Sequence, residues 1–239
     1  MRKSATIVIL CLAALFMVSG FTYAAGIGFY GNVGGGNMIF KKTDNMINNR
    51  RGVSGSTVYT CGLIADTNLG TEKAFNYRIK AGYDFQKSTD AGFKDLTRIT
   101  ITHIFGAALF QNNILRIWLG PQIGCGYFHA NYVYPDIWYG TYDSSFSFGF
   151  YHYNSTVIKA LNIHFGMSLG VNINIGEDLS LPFEGGFRYH FNANFTHYKI
   201  VKYVKDIFSL RGPEGYISFG VMCRFNESPQ IKEDKKDNV

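Results

Sequence analysis

Residues 181–195, LPFEGGFRYHFNANF, alternate between apolar side chains at odd positions and polar or small residues at even positions. The even positions include Glu184, Arg188 and His190. A period of two predicts a β-strand, because successive side chains of a strand point to opposite faces.

Eight segments repeat this alternation to differing degrees, namely 26–40, 56–66, 75–86, 96–110, 115–131, 157–175, 181–195 and 216–225. The connections after the second, fourth and sixth segments are short or modest. The others are mostly longer and cover about 41–55, 87–95, 132–155 and 196–213. Short and long connections therefore fall at opposite ends, which is typical of a transmembrane β-barrel with short periplasmic turns. The sequence predicts an all-β fold, an eight-stranded antiparallel up-and-down barrel with both termini in the periplasm.

In this barrel the odd positions face lipid and the even positions face the lumen. Only a closed barrel lets strands satisfy their backbone hydrogen bonds in hydrocarbon. His103 and Pro121 interrupt the apolar outward face, so each marks either a bulge or a position outside the membrane band.

The two ends of the chain differ from the barrel in composition. Residues 1–25 begin with Arg2 and Lys3, continue as an apolar run and end in small residues, which predicts a cleaved secretory signal peptide. Residues 26–225 form the predicted barrel. Residues 226–239 are charged and predict a short, disordered periplasmic tail.

Composition narrows the choice of function. The net charge of +6 is mild and no Lys/Arg cluster stands out, so no nucleic-acid partner is predicted. Beyond the signal peptide the cysteines are Cys61, Cys125 and Cys223, whose spacing matches no metal motif. All three are odd-numbered and lie on separate strands, so we expect free thiols. No metal and no cofactor is predicted.

The pattern of strands and connections, the signal peptide and the last strand, YISFGVMCRF, resemble the small eight-stranded outer-membrane proteins of diderm bacteria. That group includes the OmpA barrel, OmpX and OmpW, and the resemblance covers residues 26–225. It implies a place in the bacterial outer membrane, with membrane lipids and the barrel-assembly machinery as partners. The last strand resembles the assembly signal that this machinery reads, with Ile217, Phe219, Val221 and Phe225 at its alternate positions. The tail after Phe225 departs from the many relatives that end on the aromatic residue.

The lumen is the first candidate site. The inward positions carry Arg78, Lys80, Asp84, Arg98, Arg116, His164, Glu184, Arg188, His190 and Arg224. Symmetrical closure of the hairpins sets Asp84 opposite Arg98 and Glu184 opposite Arg224. An eight-stranded barrel is just wide enough for side chains to fill, so the lumen is a packed polar core, a narrow gated pore with excess positive charge, or a cavity for a small ligand.

The connection 132–155 is the second candidate, because aromatic residues crowd it. Tyr and Trp give a large contact area at low entropy cost, which favours a binding surface formed by Tyr134, Trp138, Tyr139, Tyr142, Phe148 and Tyr151. The alternative is a hairpin that continues the sixth strand above the membrane and packs its rings on each other. The last long connection adds Lys199, Lys202, Lys205 and Arg211, which suit an anionic surface such as lipopolysaccharide or glycan, or simply water.

The sequence favours a narrow or gated conduit for small solutes with a polar, net-basic lumen. The alternatives are a surface-exposed interaction or adhesion protein that binds an extracellular or host ligand through its loops, and a structural envelope barrel without a ligand. Catalysis is not predicted, because nothing sets His152 and Ser155 on one face with an acid.

Overall fold

The computed structural model describes residues 25–43, 49–69, 74–89, 93–142, 146–194 and 211–225. Nearly all of the predicted signal peptide and all of the predicted tail lie outside these residues. Eight strands are present in the described parts of the chain: β1 (Gly26–Thr43), β2 (Asn49–Asp66), β3 (Phe75–Ser88), β4 (Phe93–Gln111), β5 (Leu115–Tyr142), β6 (Phe146–Ile175), β7 (Leu179–Asn194) and β8 (Arg211–Arg224).

The strands form one closed antiparallel barrel in chain order, and β1 closes it by pairing with β8. Gly26 lies opposite Arg224 at one end of this closing seam, and Gly36 lies opposite Glu214 towards the other. Because the barrel closes, no strand within it has an unpaired edge. The predicted fold class, an eight-stranded up-and-down barrel, is confirmed.

The two faces of the wall differ as the alternation predicts. Large apolar side chains, nearly all odd-numbered, remain exposed around the barrel, as at Phe29 and Ile217, each 73% exposed. The even-numbered side chains point inward and are mostly buried. An exposed apolar belt of this extent on a closed barrel marks a wall that faces lipid. Among the described residues there is no helix that could cross a membrane.

The two ends of the barrel differ in the length of their connections, which the sequence predicted only in part. At one end, called here the turn end, the strands connect through 67–74, 112–114 and 176–178, and both chain ends of the barrel lie there. Gly176 adopts φ 64 in the three-residue β6–β7 turn, a conformation that glycine adopts without strain. The opposite end is called the ribbon end.

The predicted long connections at the ribbon end are partly wrong. Residues 41–43 and 49–55 continue β1 and β2, while 132–142 and 146–155 continue β5 and β6. The strands of these hairpins pair further than the sequence pattern predicts, because backbone pairing continues where the apolar and polar residues no longer alternate. The connection 196–213 is shortened by β8, which begins at Arg211, and the rest of it lies outside the described residues.

Of the two alternatives for His103 and Pro121, the bulge is wrong, and a position outside the membrane band stays a prediction. The register is unchanged across both residues, and it shifts instead between Lys94 and Thr97 and between Ala108 and Phe110. His103 remains on the outward face, where the Tyr77 hydroxyl lies 2.5 Å from its Nδ1. A hydrogen-bonded partner on the neighbouring strand therefore compensates a polar residue on this face.

Of the two predicted cross-strand pairs, one is confirmed and one is wrong. Asp84 lies opposite Arg98, as symmetrical closure of the β3–β4 hairpin requires. Glu184, however, lies opposite Ser218 rather than Arg224. The β7–β8 hairpin is not symmetrical about 196–212, because β8 begins early and Phe191 already pairs with Arg211.

The cysteines give a test of which face is outward. Cys61, Cys125 and Cys223 are free, as predicted. We expect that a charged maleimide will label Cys61 and Cys223 slowly in folded protein in micelles and rapidly after unfolding, because detergent covers the apolar outward face and excludes a charged reagent. Mass spectrometry of the labelled protein gives the rates. Asp178→Cys, in the exposed β6–β7 turn, is the control and should react at once. Equal rates at Cys61 and at this control would contradict a lipid-facing Cys61.

Candidate functional site

The lumen gathers most of the residues that the sequence assigned to it. Of the described residues, nine of those ten are buried inside the barrel, namely Arg78, Lys80, Asp84, Arg98, Arg116, His164, Glu184, Arg188 and His190. Arg224 departs from the prediction. It lies at the turn end and is partly exposed, and its guanidinium donates to the Gly176 carbonyl at 3.1 Å.

Near the turn end, Arg78 connects two strands on one side of the lumen to two on the other. Its guanidinium lies 2.8 Å from Asp66 Oδ2 and donates to Asn172 Oδ1 at 2.8 Å. Asn76 also donates to both carboxylate oxygens of Asp66. The Asp66 carboxylate is fully buried and is therefore compensated by a charge and by hydrogen bonds together.

In the middle of the barrel, Glu184 accepts bonds from three side chains on two strands, β3 and β8. Lys80 Nζ and Arg78 Nη1 each lie 3.3 Å from its carboxylate oxygens, and the Tyr216 hydroxyl donates to it at 2.6 Å. Lys80 also donates to Ser218 and lies 4.4 Å from the centre of the Tyr30 ring. The amine is thus enclosed by an anion, a hydroxyl and an aromatic face, which suits a buried cation.

Towards the ribbon end, Glu214 is the central acceptor. Arg98 Nη2 lies 3.0 Å from its carboxylate, His190 Nε2 lies 3.1 Å from it, and Arg188 pairs closely with its other oxygen. Arg98 also donates from Nε to Asp84 at 2.5 Å. One arginine therefore joins two acids on well-separated strands.

His164 completes the polar filling beside this cluster. Its Nε2 lies 3.0 Å from the Thr102 hydroxyl, and its ring centre lies 5.1 Å from that of His190. Both histidines hydrogen-bond with Asn162. Of the described residues, no group of three or more His, Cys, Asp or Glu is placed to hold a metal ion.

Two acids of this network were missed by the sequence analysis. Asp66 is the last residue of β2, and Glu214 was placed at the edge of a loop. Both are even-numbered, which is the available signal. The predicted eighth strand begins at 216, however, and so excludes Glu214. Among the described lumen residues, five buried cations face four buried carboxylates. The described interior is nearly balanced and keeps one more cation than carboxylates, so the net-basic lumen predicted from the sequence carries a smaller positive excess than its predicted residues indicate.

Aromatic rings fill the space that the ion pairs leave. The Trp118 ring lies 4.7 Å from the Arg78 guanidinium and packs on Gly170, where an added Cβ would come within 2.2 Å of the indole. The Tyr216 ring packs on Gly186 in the same way, at 2.6 Å. Glycine is required at these positions because the ring occupies the volume of the missing side chain.

The described lumen includes a small cavity at its ribbon end and unpaired polar atoms towards its turn end. A cavity of about 20 Å³ lies at the ribbon end beside Arg98, Phe128, His190 and Glu214, which is room for about one water. Towards the turn end, several buried polar atoms lack a protein partner, including Trp118 Nε1, Asn172 Nδ2 and Ser180 Oγ. The described lumen therefore has its ion pairs around Glu214 near the ribbon end and unused polar groups near the turn end.

The second candidate site is a two-stranded ribbon formed by residues 133–142 and 146–155, called here the β5–β6 ribbon. The last pairing of β5 with β4 is Tyr132 with Phe93, and the last pairing of β6 with β7 is Ala160 with Asn194. Beyond these pairs the two strands pair only with each other among the described residues. Ten residues per strand extend roughly 30 Å past the wall. The alternative prediction, a hairpin that continues the sixth strand, is confirmed for the backbone, and its position above the membrane stays a prediction.

The register sets the predicted binding residues into cross-strand pairs. Trp138 lies opposite Phe150, and Tyr142 lies opposite Phe146. The other predicted residues lie in the same ladder: Tyr134 opposite Asn154, Tyr139 opposite Gly149, Phe148 opposite Gly140 and Tyr151 opposite Ile137.

The same register bears on catalysis. His152 lies opposite Asp136, whereas Ser155 lies opposite Val133. Because strand residues alternate between faces, His152 and Ser155 belong to opposite faces of the β5–β6 ribbon. The register therefore gives no support to a pairing of Ser155 as nucleophile with His152 as its base.

The predicted assembly signal lies on the outward face. Ile217, Phe219, Val221 and Phe225 are each at least half exposed. Their position on the lipid side of the closing strand is consistent with the prediction, and their role in assembly stays a prediction.

The sequence matches no protein-family model, and no curated protein is significantly similar to it. Among solved structures, neisserial surface protein A is 13% identical over 82% of this chain and 97% of its own, with a TM-score of 0.38. The outer membrane protease OmpT from Escherichia coli is 8% identical over 84% and 97%, with a TM-score of 0.38. OprG from Pseudomonas aeruginosa is 9% identical over 85% and 99%, with a TM-score of 0.35. Function does not carry over at such scores, and the geometry of the chain itself identifies it as a closed eight-stranded barrel of the outer-membrane type.

Proposed function

We propose that this protein acts at the cell surface, binding an extracellular ligand through the β5–β6 ribbon, while its lumen stays closed. The observation that carries this proposal is the extension of β5 and β6 beyond every neighbouring described strand. A ribbon roughly 30 Å long adds nothing to the closure of the barrel. It presents two strand edges and two faces to whatever surrounds it.

The chemistry of the β5–β6 ribbon supports binding. Aromatic residues recur along both of its strands, and it holds no Lys or Arg. Tyr and Trp supply large contact areas at low entropy cost. An exposed strand edge also offers backbone groups to an added strand of a partner. The ligand that fits has apolar or ring-shaped faces and does not rely on negative charge.

The lumen network supports a closed barrel. Each of its carboxylates, Asp66, Asp84, Glu184 and Glu214, lies in contact with at least one cation. Opening a passage would separate these charges inside the barrel, and a buried charge without its partner costs about 3–5 kcal/mol. The network is therefore suited to hold the wall rigid beneath the β5–β6 ribbon.

The orientation belongs to the same proposal. Outer-membrane-type barrels place short turns in the periplasm and their longer extensions outside the cell. The turn end then faces the periplasm with both chain ends, and the ribbon end faces outward.

A second candidate function, a gated conduit for small solutes, is supported by a different observation. The lumen is polar along its length, and near the turn end it includes buried polar atoms without protein partners, such as Asn76 Oδ1 and Asn174 Oδ1. Such groups favour water. In a conduit this half would be hydrated, and the ion pairs around Glu214 would act as the gate.

Shortening the β5–β6 ribbon tests the main proposal. We expect that replacing residues 134–154 by Asn-Gly will leave a folded barrel, because Val133 and Ser155 already pair and Asn-Gly favours a tight hairpin. Binding to arrays of glycans and matrix proteins is the measurement. Cells that display this variant should bind no better than cells without the protein. The double change Thr141→Ser with Ser147→Thr is the matched control and should bind as the unchanged protein. Full binding by the shortened variant would contradict the proposal.

The Glu184 contacts predict energetic coupling to Lys80 and not to Arg224. Glu184→Gln should lower the free energy of unfolding by up to about 3–5 kcal/mol, because Lys80 is left buried without its anion. Adding Lys80→Met should recover part of the loss, whereas adding Arg224→Gln should only add its own small effect. Urea unfolding in micelles measures these three variants together with the single changes Lys80→Met and Arg224→Gln. Coupling to Arg224 instead of Lys80 would mean that the β7–β8 register is wrong.

Planar bilayer recording separates the two candidate functions. A closed lumen predicts no steady conductance from the refolded protein. Glu214→Gln should produce intermittent openings, because Arg98 and Arg188 lose their shared acceptor. Steady openings of the unchanged protein would favour the conduit.

Epitope insertion tests the orientation. A tag inserted in the chain between the paired Tyr142 and Phe146 should bind antibody on intact cells. A tag at Asp178, in the β6–β7 turn, should bind only after the outer membrane is made permeable. The reverse result would invert the barrel and remove the proposed surface role.

A further inference from the structure

The outer wall of the barrel carries an irregularity at the ribbon end of β4. The β4–β5 register shifts between Lys94 and Thr97, and Asp95 within this bulge adopts φ 52. Beyond the shift Lys94 pairs with Asn131, an outward-facing residue of β5. The bulge therefore turns an even-numbered lysine from the lumen side to the outside, which is a typical use of a bulge.

A groove accompanies the bulge. It has a volume of about 370 Å³ and is lined by Tyr59, Phe85, Gln86, Lys87, Asp95, Leu96 and Thr97. The Tyr59 and Phe85 rings are each about half exposed and form an apolar floor. Asp95 also lines the groove, but its Oδ2 accepts a hydrogen bond from Asn131 at 3.0 Å.

Cations surround this groove on the same face. Lys87 and Lys94 are exposed beside the bulge. One row further along the wall, Thr97 lies opposite His129, which in turn lies opposite the exposed Lys159. Lys87 on β3 and Lys159 on β6 are three strand spacings apart, or roughly 14 Å. They are too far apart to hold a single phosphate and suit a headgroup that carries two.

We propose that this outer wall, called here the bulge groove, binds a phosphorylated glycolipid of the outer leaflet. Lys87 and Lys94 hold one phosphate, His129 and Lys159 lie towards the second, and an acyl chain lies over Tyr59 and Phe85. The apolar floor with cations at its rim matches an amphiphile at the membrane interface.

A glycolipid with two phosphates fits better than a phospholipid. A zwitterionic phospholipid brings a positive amine next to three lysines, and an anionic phospholipid brings one phosphate for a span of roughly 14 Å. This inference is independent of the β5–β6 ribbon. It shares with the proposed function only the orientation of the barrel, which the epitope insertion tests separately.

Native mass spectrometry of the full-length protein in detergent tests the bulge groove. The probes are diphosphoryl lipid A, phosphatidylglycerol and phosphatidylcholine, titrated separately. We expect lipid A to bind most tightly to the unchanged protein. Lys87→Gln with Lys94→Gln should weaken lipid A binding by about five- to tenfold, the value expected for two partly exposed ion pairs. Lys159→Gln should weaken it by a smaller factor.

Arg224→Gln is the matched control. It also removes one positive charge, but at the turn end, where Arg224 bonds to Gly176. It should bind lipid A as the unchanged protein does. An unchanged Kd in both lysine variants would overturn the site, and phosphatidylglycerol binding as tight as that of lipid A would overturn the assignment to a glycolipid.

Discussion

The need to satisfy every backbone hydrogen bond in hydrocarbon governs this structure. It requires closure, which β1 and β8 provide along a seam from Gly26–Arg224 to Ile39–Arg211. Eight strands then fix an interior only as wide as the side chains that fill it. Inward positions must be polar, because the apolar residues are needed on the outside. The narrow interior therefore concentrates charge, and buried charge is tolerated only where it is paired.

Pairing explains which residues the lumen holds. The carboxylates of Glu184 and Glu214 each contact two basic side chains from other strands, so the network links most of the wall. Trp118 and Tyr216 fill the remaining volume over glycines on neighbouring strands. Removing one member would expose a charge to a space that has no room for a full hydration shell. The interior is better suited to rigidity than to exchange of solutes.

The sequence predicted this architecture because a period of two is a local signal. It assigned the faces correctly, and it placed Asp84 opposite Arg98, since the β3–β4 hairpin closes symmetrically. Register across an asymmetric connection is not local. The pairing of Glu184 with Ser218, and of Arg188 with Glu214, depends on where β8 begins, and no alternation of apolar residues marks Arg211 as strand. For the same reason, the sequence did not predict the bulge that turns Lys94 outward.

The features that depart from the sequence prediction coincide with the two proposed binding sites. The charged side chains of the lumen pair with one another. The lipid-facing wall is apolar over most of its surface. The two proposed binding sites lie where the regular pattern ends: the β5–β6 ribbon, whose strands continue past their neighbours, and the bulge groove, where one extra residue reverses the direction of a lysine. Neither feature helps the barrel to close. Residues that closure does not require can serve recognition without weakening the network on which the fold depends.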